Sequence, residues 1–443
     1  METLSIHPAS GPITGVADLP GSKSITNRAL ALAALANGTT VLSNALFADD
    51  TARMQECLQA LGFTVLPDEP AKQITVTGQA GKVPAESAAL FVGNSGTTAR
   101  FITPLAALGH GEYTIDGVPR MRERPIADLL EALNGLGVRA ESIEGNGCPP
   151  VKIYARGLHA GTTTVRADIS SQFLSGLLLA APCAAEGDGS ETVIHLEGPV
   201  LSAPYIEMTV ALVREFGGII HRSEDGRTFR IPAGQTYHST GTFPVEPDAS
   251  AASYFWAAAA LTGGHVRING LGTLSVQGDT DFVRVLEAMG CTVHQTMGYT
   301  DVRGPEAPRR LRGVTWDMNA ISDTVMTLAA LAPFADSPTV IENVAHIRHK
   351  ETDRLHAVAT ELDRLGVRVE EREDGLTIYP AEKIQPATIQ TYDDHRMAMA
   401  FSLIGLAAPG VVIADPACVG KTFPGYFTCL TNLVAGKHAL PGE

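Results

Sequence analysis

A single unit recurs six times along the 443 residues of this chain. Each copy begins with a polar cluster, continues as an alanine-rich predicted helix, and then gives a second helix, a glycine and a short strand. The copies start at Ser24, Ser95, Ser171, Ser250, Asp323 and His395, at spacings of 71, 76, 79, 73 and 72 residues. A near-constant period of this length indicates one supersecondary unit present in several copies.

The periodicity within a copy predicts which helices are buried. The first helix of each copy is apolar nearly all round, as in residues 29–36 and 257–261, and a helix with no polar face belongs in a core. The second helix is amphipathic and ends at a glycine such as Gly62 or Gly137. In the first copy the predicted elements are Thr26–Ala36, Thr39–Leu42, Asp50–Leu61, Phe63–Leu66 and Ile74–Thr77. The sequence therefore predicts an α/β fold in which sheets surround buried helices, with a sixth copy that lacks its last strand.

Six copies divide into two groups of three, and the chain is long enough for two or three domains. The midpoint falls in the proline-rich stretch 241–247, where no helical period is present. A second crossing is expected near residues 18–22, because a strand precedes the first copy. We therefore predict one lobe from residues 1–20 plus 245–443 and another from 21–244, with a hinge at the two crossings.

Composition restricts the partners and the compartment. Lys+Arg number 33 against 48 for Asp+Glu, and the net charge of −15 argues against binding to nucleic acid or anionic membranes. The six cysteines form no Cys-x-x-Cys pair, which favours reduced thiols in the cytoplasm. The N-terminus lacks the pattern of a signal peptide, and no apolar run approaches the length of a membrane span. We expect a cytoplasmic monomer.

Ten cations gather at the predicted helix starts, although Lys and Arg are scarce elsewhere. They are Lys23, Arg28, Arg100, Arg120, Arg122, Arg124, Lys350, Arg354, Arg396 and Lys421. The N-terminus of a helix offers free N–H groups and the positive end of the helix dipole, so together with a cation it suits phosphate or carboxylate. Pro125 is predicted at the first position of a helix. The pattern predicts a site for small anions, and for any single arginine the alternative is a solvated surface charge.

Two carboxylates lie at such helix starts. Asp323 precedes a buried helix, where it is either an N-cap or a group that accepts a proton from an alcohol; taken alone, its position favours the cap. Glu351 precedes an outer helix. Nearby, Asp353 is expected to pair with a neighbouring arginine.

Other site classes are disfavoured. A P-loop requires a glycine five residues before the Gly-Lys pair at 420–421, and that position is Asp415. The histidines His346, His349 and His356 do not form a known zinc-ligand pattern. We therefore predict no metal and no cofactor.

The motifs taken together resemble the 5-enolpyruvylshikimate-3-phosphate synthase family, in order and over nearly the whole chain. They are residues 19–24 with Asn27 and Arg28, Gly93–Thr97, Arg120–Pro125, Ser170–Gln172, Lys350–Arg354, Asp394–Ala398 and Lys421–Pro424. The resemblance implies a two-lobed inside-out α/β barrel of six βαβαββ modules, three per lobe, that closes on its substrates. It also implies transfer of the enolpyruvyl group of phosphoenolpyruvate to the 5-hydroxyl of shikimate 3-phosphate, with release of phosphate through a tetrahedral intermediate.

The resemblance also assigns roles to residues. The implied catalytic groups are Asp323, which accepts the hydroxyl proton, and Glu351, which exchanges a proton with the methylene carbon, assisted by Lys23 and His395. The implied ligands of shikimate 3-phosphate are Ser24, Arg28, Ser170, Ser171, Gln172, Ser202, Asp323, His346 and Lys350. The implied ligands of phosphoenolpyruvate are Lys23, Gly96, Arg124, Gln172, Arg354, Arg396 and Lys421.

The chain departs from the usual family pattern at four positions. Ser95 and Phe101 replace the usual alanine and proline around the Gly96 loop, His346 stands where asparagine is common, and Ala203 stands where lysine is common. Gly96 is retained, so we expect glyphosate to compete with phosphoenolpyruvate at least in part.

Two alternatives stay open. The sister UDP-N-acetylglucosamine enolpyruvyl transferase family has a reactive cysteine that would fall within residues 112–124, and this window has none. A non-catalytic anion-binding scaffold would not need Asp323 and Glu351 alongside the cations.

Overall fold

The computed structural model of the protein describes residues 2–187, 189–306, 310–437 and 439–440. These residues contain α1 (Lys23–Leu35), α2 (Asp49–Ala60), α3 (Gly96–Ala107), α4 (Ala127–Gly135), α5 (Ser171–Ala180), α6 (Ala203–Glu215), α7 (Ala249–Thr262), α8 (Phe282–Ala288), α9 (Val325–Leu331), α10 (Arg354–Arg364), α11 (His395–Ala407) and α12 (Tyr426–Val434).

The strands are short and alternate with the helices. They are β1 (Thr3–Ile6), β2 (Thr14–Val16), β3 (Thr39–Ser43), β4 (Thr64–Asp68), β5 (Gln73–Thr77), β6 (Ser87–Phe91), β7 (His110–Asp116), β8 (Arg139–Ser142), β9 (Val151–Arg156), β10 (Thr162–Arg166), β11 (Glu191–Glu197), β12 (His221–Arg222), β13 (Thr228–Pro232), β14 (Thr242–Pro244), β15 (His265–Asn269), β16 (Thr292–Gln295), β17 (Tyr299–Arg303), β18 (Thr315–Asp317), β19 (Thr339–Glu342), β20 (Val369–Arg372), β21 (Gly375–Ile378), β22 (Ala387–Ile389) and β23 (Val411–Ala414).

The odd-numbered helices form the core. Every residue of α1 except Ser24 is buried, and α3, α9 and α11 are buried along nearly their whole length. Alanine and leucine dominate these helices because only small or apolar side chains tolerate burial on all faces. The even-numbered helices bury only one face, as in α2 and α10. The predicted mixed α/β fold with buried helices is confirmed.

Six small mixed sheets lie in the described part of the chain, and their strand orders follow one scheme. Five of them are β14-β3-β5-β4, β6-β7-β9-β8, β10-β11-β13-β12, β2-β15-β17-β16 and β18-β19-β21-β20. In each, the first pair of strands is parallel and the following pairs are antiparallel. The sixth sheet, β22-β23-β1, has three strands. Among the described residues after α12 there is no strand, and β1 pairs antiparallel with β23.

Two sheets take their leading strand from a distant part of the chain. β2 precedes α1 in sequence but pairs in parallel with β15, where Thr14 lies opposite His265. β14 immediately precedes α7 but pairs in parallel with β3, where Thr242 lies opposite Val41. The strand before each group of three copies therefore belongs to a sheet of the other group.

The chain accordingly forms two compact units, Met1–Pro20 with Glu246–Glu443, and Gly21–Val245. The five elements predicted for the first copy all occur, each shifted at its ends by three residues or fewer. Pro125 is a correction: α4 begins at Ala127, two residues later, and Pro125 follows a 3-10 helix at Pro119–Glu123. Among the described residues, no helix has the length and apolar character needed to cross a membrane.

Candidate active site

Arg354 is the centre of a buried ionic cluster in the unit that contains residues 246–443. It is the first residue of α10, and its side chain is 1% exposed. Its guanidinium donates to Asp394 (2.8 Å), Glu351 (2.9 Å) and Asp323 (3.2 Å). Burial lowers the pKa of Arg354, and the three carboxylates raise it. The effect of the carboxylates is larger in sum, so the net shift of the pKa is upward. Arg354 therefore stays charged and holds three acidic groups in one place.

Asp323 is not an N-cap, which corrects the interpretation favoured from its position alone. It lies in the 3-10 helix Asn319–Thr324, and α9 begins at Val325 with no side-chain cap. Its two carboxylate oxygens accept separately, one from Arg354 and the other from Nη2 of Arg396 at 2.7 Å. Its side chain keeps 15% exposure, so this carboxylate lies at the solvent-facing side of the cluster.

Glu351 lies between two cations. One of its oxygens accepts from Arg354, and the other lies 3.9 Å from Nζ of Lys421. Lys421 ends the 3-10 helix Pro416–Lys421 and is 8% exposed. The expected pair of Asp353 with a neighbouring arginine is present, because Arg348 donates to it at 2.9 Å.

Further polar groups support this cluster from the buried helix starts. The Oδ1 atom of Asp394 accepts from the backbone N–H of Arg396, which caps α11, and Arg396 donates to the Tyr254 hydroxyl at 3.5 Å. Asp279, on the 3-10 helix Gly278–Asp281, accepts from the Ser250 hydroxyl. Burial and the negative charge of Asp323 raise the pKa of Asp279 to about 7.

Both histidines implied by the resemblance are buried in this unit. His395 is fully buried, and its Nδ1 lies 3.6 Å from Asp394. His346 is 6% exposed, and burial together with the positive charge of Lys350 lowers its pKa to about 3. His346 is therefore neutral at working pH, and Lys350 is half-buried beside Glu351.

A second polar cluster lies in the unit Gly21–Val245, at the start of α1. Lys23 begins this helix and pairs with Asp50 at 3.2 Å, both side chains being nearly buried. The backbone carbonyl of Asp50 accepts from the hydroxyl of Thr98 at 3.2 Å. Asn27 donates to Thr97 at 2.7 Å. The starts of α1, α2 and α3 are thus joined by direct hydrogen bonds.

Gly96 and Arg124 are in close contact in this cluster. Gly96 is the first residue of α3, and Ser95 caps the helix by accepting from the backbone N–H of Thr98. A Cβ atom at Gly96 would lie 2.4 Å from Nη2 of Arg124. Nη1 of Arg124 donates to the backbone carbonyl of Asn94 at 3.0 Å and to its side chain at 3.2 Å. The absence of a side chain at residue 96 therefore provides the space that this guanidinium occupies.

Arg28 is buried with 1% exposure, and protein atoms surround its guanidinium. It donates to Thr209 (2.8 Å), Ser175 (3.3 Å) and the carbonyls of Ser24 and Tyr205. Its guanidinium also lies 4.9 Å from the ring centre of Phe101. Burial lowers the pKa of Arg28 to about 10, so it is charged at neutral pH. Arg28 therefore joins α1 to α5 and α6.

The remaining serines and Gln172 lie at the starts of α5 and α6. Ser170 caps α5 by accepting from the N–H of Gln172 at 3.2 Å, and Ser171 is the first, buried residue of that helix. Ser202 precedes α6 with a left-handed backbone (φ 51°) and is 4% exposed. Left-handed serine is uncommon, and its place directly before a helix marks it as a functional candidate.

Three of the ten predicted cations bind other protein groups, although Arg100 also donates to the carbonyl of Gly96 in the second cluster at 3.5 Å. Arg120 pairs with Glu123 and Arg122 with Asp116 in partly exposed pairs. Arg100 donates to the carbonyl of Pro125 at 2.7 Å, which ties α3 to the segment before α4. For Arg120 and Arg122 the sequence position near a helix start was a misleading signal, because each pairs with a nearby carboxylate.

One cavity of the unit that contains residues 246–443 lies away from its ionic cluster. It measures about 890 Å³ and is lined by the C-terminal ends of α7, α9 and α11, including Gly263, Phe334 and Pro409. The ionic cluster lies at the N-terminal ends of the same helices. Its charged groups, and not this cavity, indicate where the reaction takes place. No group of three or more His, Cys, Asp or Glu among the described residues is arranged to hold a metal ion.

Several participants were missed in the sequence. Asp394 holds Arg354 and caps α11, Asp50 pairs with Lys23, and Asn94 holds Arg124. Asp394 could have been found, because an aspartate directly before a buried helix is a cap signal. The chemistry that results is clear in outline: cations for anionic substrates, with two carboxylates that can exchange protons.

Comparison with known proteins agrees with a site of cations and carboxylates that acts on anionic substrates. Residues 8–430 match the EPSP synthase family, described as 3-phosphoshikimate 1-carboxyvinyltransferase. The 3-phosphoshikimate 1-carboxyvinyltransferase of Trichormus variabilis is 50% identical over 435 residues, 98% of this chain and 100% of that protein. The one from Aliivibrio fischeri is 46% identical with the same coverage. The solved EPSP synthase of Acinetobacter baumannii, 24% identical, aligns over 99% of both chains with a TM-score of 0.79 and so shares the fold. The chain therefore belongs to the EPSP synthase family.

Proposed function

We propose that this chain transfers the enolpyruvyl group of phosphoenolpyruvate to the 5-hydroxyl of shikimate 3-phosphate and releases phosphate. The activity, 3-phosphoshikimate 1-carboxyvinyltransferase, is that of its family. The observation that carries the proposal is the contact of one buried arginine, Arg354, with Asp323, Glu351 and Asp394.

Two carboxylates in this cluster supply the proton transfers. Asp323 accepts the proton of the 5-hydroxyl while that oxygen bonds to C2 of phosphoenolpyruvate. Glu351 delivers a proton to C3, which gives a tetrahedral intermediate. Glu351 then removes a proton from the new methyl group as the bond from C2 to the phosphate oxygen breaks. Lys23 and His395 are proposed to assist.

Cations bind the anionic groups of both substrates. The groups that bind phosphoenolpyruvate are Lys23, Gly96, Arg124, Gln172, Arg354, Arg396 and Lys421. Shikimate 3-phosphate is held by Ser24, Arg28, Ser170, Ser171, Gln172, Ser202, Asp323, His346 and Lys350. Charge-assisted hydrogen bonds from Arg and Lys support this assignment, since each substrate carries a phosphate and a carboxylate. The carboxylates Asp323 and Glu351 already orient three of these cations.

We extend the proposal to the finer architecture and the cellular setting. The common strand order of the sheets supports six βαβαββ modules, three per unit, in an inside-out α/β barrel. A monomeric state and a cytoplasmic location are part of the same proposal, and size-exclusion chromatography and cell fractionation test them.

The activity is tested by phosphate release from phosphoenolpyruvate with and without shikimate 3-phosphate. We expect release only when both are present. UDP-N-acetylglucosamine in place of shikimate 3-phosphate tests the sister activity, and we expect no release. Release with that acceptor, or none with shikimate 3-phosphate, would contradict the proposal.

The role of Glu351 is tested with Glu351→Gln, which keeps the shape of the side chain but loses the titratable group. We expect binding of shikimate 3-phosphate to persist while turnover falls by at least roughly 100-fold, the usual range for general acid–base catalysis. Glu287→Gln is a matched control, because Glu287 forms an exposed pair with Arg284 three residues away, at 2.8 Å. Near-normal turnover of Glu351→Gln would move the proton transfer to another group.

A further inference from the structure

The segment between β22 and α11 has an unusual backbone. Tyr392 and Asp393 are consecutive, and both have positive φ, 56° and 55°. Neither is a glycine, so both residues have a backbone conformation that L-residues rarely adopt. The next residue is Asp394, which caps α11 and contacts Arg354. The conformation of this turn therefore determines where Asp394 lies.

Glu361 forms hydrogen bonds to this turn. It is fully buried on α10, and its Oε1 accepts from the hydroxyl of Tyr392 at 2.6 Å. Its Oε2 accepts from the backbone N–H of Gln390 at 3.0 Å and from Arg364 at 3.1 Å. Hydrogen bonds to a buried carboxylate are among the stronger ones in proteins, and here they fix both the side chain and the backbone of the turn.

Helix α10 contacts the segment around the turn at a second residue, Arg354. Arg354 and Glu361 are seven residues apart, which is close to two helical turns, so they lie on one face of α10. Arg354 binds Asp394 while Glu361 binds Tyr392. The backbone N–H of Arg396 in turn donates to Asp394 at 2.9 Å. One helix face thus sets the separation between Arg354 and the start of α11.

We propose that Tyr392 and Glu361 are positioning residues that hold Arg354 and Arg396 in register for phosphoenolpyruvate. This inference rests on the proposed function, in which both arginines bind that substrate. Tyr392 is 40% exposed, and its hydroxyl stays protonated at neutral pH, because partial burial and the hydrogen bond to Glu361 raise its pKa to about 12. The link is the left-handed turn: without the hydroxyl contact, the backbone of residues 392 and 393 relaxes and Asp394 moves away from Arg354.

The test is Tyr392→Phe, which removes the hydroxyl alone. We expect the KM for phosphoenolpyruvate to rise about tenfold, roughly 1.4 kcal/mol, and kcat to fall as well, because Arg354 also holds Glu351, while the KM for shikimate 3-phosphate changes less than about threefold. Tyr379→Phe is the matched control. Tyr379 donates to Glu370 at 2.9 Å in the same unit, on an exposed strand pair away from Arg354, and its removal leaves both KM values unchanged.

Glu361→Gln is the second variant: its one oxygen can still accept from Tyr392, but its NH2 group then replaces the oxygen that accepted from Gln390 and Arg364. We expect a rise in the KM for phosphoenolpyruvate, because the backbone contact to Gln390 is lost. In the double variant we expect a rise smaller than the product of the two single effects, since both substitutions loosen the same turn.

Three outcomes overturn the inference. One is a Tyr392→Phe enzyme that matches Tyr379→Phe. Another is a parallel rise of both KM values with a lowered Tm, which indicates a general structural role. A third is an additive double variant. A wild-type protein inactive with both substrates overturns the proposed function as well, so the two failures are distinguishable.

Discussion

Replacing Gly96 with alanine places a methyl group against the Arg124 guanidinium. The new Cβ would lie 2.4 Å from Nη2 of Arg124, whereas ordinary contacts begin at 3.4 Å, so the guanidinium must retreat by about 1.0 Å. The backbone of Gly96 has no positive φ, so alanine adds no backbone strain. The cost falls on the two hydrogen bonds from Arg124 to Asn94, at 3.0 and 3.2 Å.

The magnitude follows from those bonds. Loss of one hydrogen bond to a charged group costs about 1.5–3 kcal/mol. Applied to the binding of phosphoenolpyruvate, this range corresponds to a rise of roughly 10- to 150-fold in its KM. The KM for shikimate 3-phosphate should change little, because Arg124 is assigned to the other substrate.

Steady-state phosphate release with each substrate varied in turn measures both constants. Gly161→Ala is the control in the same unit, since its Cβ meets only Leu136 at 3.6 Å. If the clash is the cause, Gly96→Ala in an Arg124→Lys background adds little to the effect of Arg124→Lys alone. An unchanged KM for phosphoenolpyruvate in Gly96→Ala, or full additivity in the double variant, would refute the reasoning.

Three further predictions concern stability and are measured by urea unfolding. Arg28→Lys loses the fork that reaches Thr209 and Ser175, and we expect a loss of about 2–4 kcal/mol; a loss below about 0.5 kcal/mol contradicts this. His346, with its pKa lowered to about 3 by burial, stays neutral in the folded protein while the unfolded chain binds a proton below pH 6.5. Stability is therefore lost as pH falls, by about 2 kcal/mol between pH 7 and 5, and His346→Asn removes that share; an unaltered pH dependence in the variant argues against it. Asp353→Ala removes the cap of α10 and costs about 1 kcal/mol, whereas Asp281→Ala, at an N-cap position without a side-chain bond, costs much less; equal losses would show that the cap is not the cause.

The buried helices were predictable because their signal is local. The composition of an alanine-rich run such as residues 29–36 predicts that the helix is buried. The polar clusters at the helix starts recur at a nearly constant spacing. The exchange of β2 and β14 was not predictable in this way. Thr14 pairs opposite His265, and the alternation of a three-residue strand carries no information about so distant a partner.

In the candidate site, too, features that depend on local sequence were predictable and those that depend on distant partners were not. The cations were found because they lie beside helix starts, and Asp323 was found by its motif, but its partners Arg354 and Arg396 decided its role. A cap is local chemistry, whereas these pairs span 31 and 73 residues. Tyr392 gave no signal at all, because a tyrosine with a left-handed backbone contradicts local preference and depends on the buried Glu361.

The origin of β1 and β2 has a consequence for synthesis on the ribosome. Residues 3–16 are made well before their strand partners, because Thr3 pairs with Ala414 and Thr14 with His265. Residues 21–245 find all their strand partners within their own stretch, so that unit can complete its sheets while translation continues. During synthesis β2 therefore stays an unpaired edge until β15 is made, and β1 stays unpaired until β23 is made.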